Sequence, residues 1–205
     1  MRNIVEDERY QKERKEMESY FTPKYLVPND TETIESPYGR YSLTIEYYKR
    51  DLDDHYNKYS KGIIRDGDRE LAVIKRNYLH FPYCWIQTAD KQDYLICGED
   101  YQGLSIVNLK TGEVLHYVPE AAYEGRGFCW VVIHHLNGND IIAVEGCYWG
   151  SEYEIVFFDI SEIMKLPNRE ICRVSGHGDV VGWVNPREFA YYDEDKNYKT
   201  VKLDD

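Results

Sequence analysis

From residue 41 onward, apolar and polar positions change places in short runs bounded by turn residues, the period of strands rather than of helices. YSLTIEYY (41–48) alternates, and GIIRDGDRELAVIK (62–75) is a hairpin pattern around Asp66-Gly67. DYLICG (93–98), LSIVNL (104–109) and EVLHYV (113–118) follow at close spacing. FCWVVIHH (128–135), DIIAVEG (140–146), YEIVFFDI (153–160) and EICRV (170–174) make a second run, and VGWVN, EFAYY and YKTVKL a third. Ahead of them, residues 4–19 lack Gly and Pro and carry Glu, Lys and Arg at helical spacing, which predicts a solvated helix packing by one edge. The segment 22–40 holds three prolines and reads as an extended linker. The expected organisation is therefore residues 1–40 as helix and linker, and residues 41–205 as one β domain.

Aligning the runs on tryptophan exposes a repeat. Trp85, Trp130 and Trp183 each open a copy, with offsets of 45 and 53 residues, and each copy continues with a polar turn and an apolar second strand. In the first two copies a third strand ends in a turn, NLKTGE in one and FDISE in the next. This grammar, over about residues 83–205, resembles the blades of WD-repeat and related β-propellers. The FCW, GCYW and YEIVFFD blocks also resemble those of an uncharacterised family of small proteins, a likeness that implies no activity. The expectation is all-β: an incomplete or open propeller-like array of antiparallel four-stranded meanders with an N-terminal helix. Two full blades, a shortened third and a three-strand piece over 41–77 fall short of the four complete blades a closed ring needs. A second copy of the chain, forming a homodimer, is then a candidate to cover open sheet edges.

Charge narrows the partners. The net formal charge is −12, and residues 81–205 carry 10 basic against 21 acidic side chains, a net of −11. Such a surface repels phosphate backbones and anionic lipid, so nucleic acid and membrane are not expected as partners and proteins are. Twenty tyrosines suit half-wet sheet faces and binding surfaces alike. The N-terminus has no apolar run of the kind a signal peptide carries, and the five cysteines form no CxxC pair, which together predict reduced thiols, no disulfide and a cytoplasmic setting.

Candidate chemistry is sparse. No GxSxG, HExxH, GxxxxGK[ST] or strand-to-helix GxGxxG is present, so no catalytic residue, metal or cofactor is assigned. In EGCYWGSEYE, Gly146 and Gly150 bracket Cys147, Tyr148 and Trp149; the two rings either pack over a blade edge or form a binding anchor. His134 and His135 point to opposite faces, so only one of them can meet Glu145, Glu152 or Glu154. SGHGDVVGW sets His177 two residues before Asp179 in what reads as a glycine-flexible loop, an arrangement open to acid–base or cation-binding use. Arg126 is a lone cation between glycines, available to a carboxylate or phosphate, or to its neighbours Glu120 and Glu124. The leading expectation is a non-catalytic protein-interaction module, of which an inhibitor or immunity-type protein is a special case, using Tyr148 and Trp149. The alternative is an enzyme or small-ligand binder at Arg126, His177 and Asp179.

Overall fold

The computed structural model describes residues 2–50 and 58–203. It is an all-β, open, propeller-like array of four antiparallel sheets with a short helix at the N-terminus. The first sheet is a four-stranded meander of β1 (Glu32–Glu35), β2 (Tyr41–Lys49), β3 (Lys58–Asp66) and β4 (Arg69–Arg76). The second joins β5 (Cys84–Gln87), β6 (Asp93–Cys97), β7 (Leu104–Asn108) and β8 (Val114–Tyr117). The third joins β9 (Phe128–His135), β10 (Ile141–Tyr148), β11 (Glu154–Asp159) and β12 (Arg169–Ser175). The fourth has three strands, β13 (His177–Asn185), β14 (Glu188–Asp193) and β15 (Tyr198–Lys202).

Two expectations change. The proline-containing segment read as linker supplies β1, whose four residues pair with Ile45 to Ser42 of β2 and complete the first blade. Its ETIE run is too short to signal a strand alone; Ile34 reaches the core while the flanking glutamates stay in water. SGHGDVVGW is no loop either, since His177 opens β13. Breaks of register around Val180 and Gly182 let this Gly-containing strand pair with β14 and turn Val180 and Trp183 inward. The Asp66-Gly67 hairpin forms as expected, with Gly67 at φ +56 in the turn where a side chain would be strained.

The repeat is a packing rule. Trp85 lies on the first strand of the second sheet and packs back onto the first, among Leu43, Ile45 and Ile64. Trp130 does the same from the third sheet onto Ile86, Ile96 and Leu104 of the second. Trp183 packs from the fourth sheet onto Ala143, Ile155 and Phe157 of the third. Successive residues in the middle strands therefore feed two cores: Leu95 and Ile96 face opposite ways, as do Ala143 and Val144, and Ile155 and Val156. Burial on both faces is why these strands read as continuous apolar runs. No hydrophobic cluster among the described residues joins the fourth sheet to the first, and the fourth sheet's outer face leaves Val181, Val184, Tyr192 and Tyr198 exposed.

The helix α1 (Glu8–Met17) buries Tyr10 and Met17, seven residues apart on one edge, and leaves its charged face in water. Ile4, Val5 and Tyr10 pack on Val118 at the end of the second sheet. Arg14 donates to the carbonyls of Lys75 and Glu99, tying the helix to the first two sheets. Among the described residues no helix is long and apolar enough to cross a membrane.

Candidate functional site

The side chains of the second and third sheets do not fill all of the space between them. There a cleft of about 500 Å³ opens between Leu104 and Tyr117 on one side and Phe128, Trp130, Tyr148 and Phe158 on the other. A concavity of this size, apolar with a few polar groups, is of the kind that receives ligands or partner side chains. Trp130 and Phe158 stack at 5.1 Å and 18°, and Phe128 meets Trp130 and Tyr148 edge-on at 5.9 and 5.4 Å. These geometries lock the far wall.

Its polar groups come from the connecting segments. Gln102, 3% exposed, accepts from the Gly127 amide at 2.7 Å and so fixes the chain beside Arg126. Arg126 lines the mouth, largely exposed and paired with Glu124. Asn168 also lines the cleft, and its buried Oδ1 meets no donor among the described residues. Tyr148 is braced from outside: Arg173 donates to its hydroxyl at 3.0 Å, lies 5.1 Å over its ring, and is itself held by Glu154 and Glu170.

Beside the cleft runs an exposed aromatic row. The β10–β11 turn carries Trp149 out to 60% exposure, against Gly125 and edge-on to Tyr101 at 5.5 Å; Tyr101 in turn lies 6.0 Å from Tyr78. Tyr148 and Trp149 are thus split where β10 ends and the turn begins, one into the cleft wall and one onto the row. Tyr78 and Tyr101 escaped the sequence because they sit in turns of two other sheets, with no pattern linking them to the GCYWG corner.

Neither His177 nor Asp179 lines this cleft; both lie on β13. His177 is buried between the third and fourth sheets, its Nε2 3.7 Å from Glu145 Oε2, while Asp179 is exposed. His134 takes the other oxygen of Glu145 at 2.6 Å, and this bond holds the Glu145 carboxyl below the usual range. His135 turns away to the Asn139 carbonyl, so one member of the His134-His135 pair meets Glu145, as alternation requires. Among the described residues no group of three or more His, Cys, Asp or Glu is arranged to hold a metal ion.

A buried cluster of Ser105, His116 and Glu99 has the residue types of a hydrolytic triad and the wrong wiring. Ser105 Oγ and Glu99 Oε2 both address His116 Nδ1, at 2.8 and 3.3 Å, whereas a triad's nucleophile and acid engage opposite ring nitrogens. Ser105 is fully buried, and Tyr10 donates to Glu99 from α1. The cluster anchors the helix.

No family model matches the chain. It is 34% identical over 151 residues to an uncharacterized protein of Acanthamoeba polyphaga mimivirus, a match that takes in 73% of this chain and 58% of that protein. The chain therefore spans less than two thirds of the length of the relative it matches.

Proposed function

We propose that the protein is a non-catalytic interaction module that grips a segment of another protein at the second-to-third-sheet cleft and the adjoining aromatic row. The observation that carries this reading is the exposed Trp149, set between Tyr101 and the shoulder of an apolar cleft whose wall is Tyr148. Aromatic anchors beside a concave apolar pocket are the usual centre of a binding energy hot spot. The fitting partner segment presents an apolar or aromatic side chain to the cleft and basic residues to the acidic surroundings, whose net charge over residues 81–205 is −11. An inhibitor that masks a basic target is one form this takes. The alternative is an enzyme or small-ligand site at Arg126, His177 and Asp179; of these Arg126 lines the cleft, and His177 and Asp179 belong to β13.

Selection of displayed random peptides on the full chain tests the proposal. Bound peptides are expected to share an apolar anchor next to Lys or Arg, and Trp149→Ala should weaken them at least about tenfold, or about 1.4 kcal/mol, with melting temperature unchanged. Peptides that bind the Trp149→Ala chain equally well, or a melting temperature that drops with binding intact, would make the corner a packing turn.

A further inference from the structure

Two of the five free cysteines face each other across a strand pair. In the register of β9 with β10, Cys129 is the direct partner of Cys147, one step from Phe128 opposite Tyr148. Opposed residues of an antiparallel pair have Cα atoms about 4.5–5.5 Å apart, inside the window of about 4.4–6.8 Å that a disulfide spans. Directly opposed residues share one face of a sheet, so the two side chains lie on the same side of the strand pair. The backbones press together here: a Cβ on Gly146 would lie 2.2 Å from the Cys129 carbonyl oxygen, so only glycine fits beside the pair.

We propose that Cys129 and Cys147 form a reversible disulfide, making this strand pair an oxidation site whose reactants are hydroperoxides or low-molecular-weight disulfides. The inference goes beyond the interaction reading and does not depend on it. Cys129 is 8% exposed and burial pushes its thiol up to about 12, so the first attack falls to the half-buried Cys147. With hydrogen peroxide, the Cys147 thiolate takes one oxygen as the O–O bond breaks, giving a sulfenic acid and, after proton uptake, water. The Cys129 sulfur then attacks the Cys147 sulfur; the S–O bond breaks, hydroxide leaves and takes up the Cys129 proton as a second water. Two thiols have lost two protons and two electrons, and one peroxide has become two waters. With a small disulfide, the same two electrons reduce it to two thiols through a mixed disulfide on Cys147.

The other three cysteines offer no such pair. Cys84 and Cys97 belong to different cores, and Cys172 lies on β12, where its strand partner is Phe157.

The full reduced chain, treated with a small molar excess of hydrogen peroxide or with oxidised glutathione, then quenched by alkylation and unfolded, is expected to fall from five free thiols to three. Its mass should drop by two hydrogens, a peptide joining Cys129 to Cys147 should appear, and dithiothreitol should restore all five. Cys147→Ser, a near-isosteric change at a half-buried site, should keep all four of its thiols under peroxide. Five surviving thiols in the wild-type chain, or a bridge mapping to any other pair, overturns the proposal. The wild-type peptide map decides it without any variant.

Discussion

At the scale of single residues, the most constrained side chain is Arg76, 1% exposed among three backbone carbonyls. Its Nε donates to His80 at 2.7 Å, and one terminal nitrogen donates to Gly98 and Asp100 at 2.9 and 2.7 Å. Burial lowers its pKa to about 10, which leaves it charged at neutral pH. The fork ties the β4–β5 connection to the β6–β7 turn, which a point charge does not reproduce. Arg76→Met should cost about 3 kcal/mol or more, because it strands carbonyls that are already out of water, and Arg76→Lys should recover only part of that. Urea unfolding of the two variants checks it; equal stability of Met and wild type would mean that water replaces the guanidinium. Little of this was visible beforehand, because one arginine in IKRNYLH looks like any surface cation at a strand end. Arg126, singled out for standing between glycines, pairs with Glu124 as its neighbours suggested. The cysteines teach the converse: spacing along the chain showed no pairing, whereas strand register put Cys129 opposite Cys147.

At the scale of elements, the strands were legible because turn residues bound them and burial on one or both faces sets their period. Asp159 and Asn108, which end the third strands of two successive sheets, both cap the following turn, accepting from Ser161 and from Lys110 and Thr111. That shared device is what the NLKTGE and FDISE turns signalled. The strands that were missed, β1 and the start of β13, are held by partners rather than by local preference, and no pattern within four residues or a glycine run announces a partner. The cleft was illegible for the same reason, since its walls come from two sheets. Helix α1 depends on tertiary contacts too, with only Tyr10 and Met17 buried. The Tyr10 hydroxyl donates to Glu99 at 2.9 Å, and burial raises the phenol's pKa, so it stays protonated as a donor. Tyr10→Phe should therefore cost about 1–2 kcal/mol and loosen the helix first. Limited proteolysis should then cut near residues 8–20 sooner than in wild type while the sheets resist; unchanged cleavage would assign the helix's anchorage to apolar burial and Arg14 rather than to the Tyr10 hydroxyl.

At the scale of the molecule, each sheet rests on its neighbours in sequence, and the cores run first to second, second to third and third to fourth. Stability in such a row is a sum of neighbour terms, as in repeat proteins. The fourth sheet has three strands, one packed face and an outer face that exposes Val181, Val184, Tyr192 and Tyr198, so it should open before the others. Native-state hydrogen exchange is expected to rank protection with residues 177–202 lowest and the second and third sheets highest; a single uniform opening would mean that the row unfolds as one unit. The same one-way stacking bears on how the chain is made. Each Trp-bearing strand, arriving 45 and then 53 residues after its predecessor, meets a face that is already formed and waiting. Assembly can thus keep pace with synthesis on the ribosome, each new blade closing over the last. A ring that must join its first blade to its last has to wait for both.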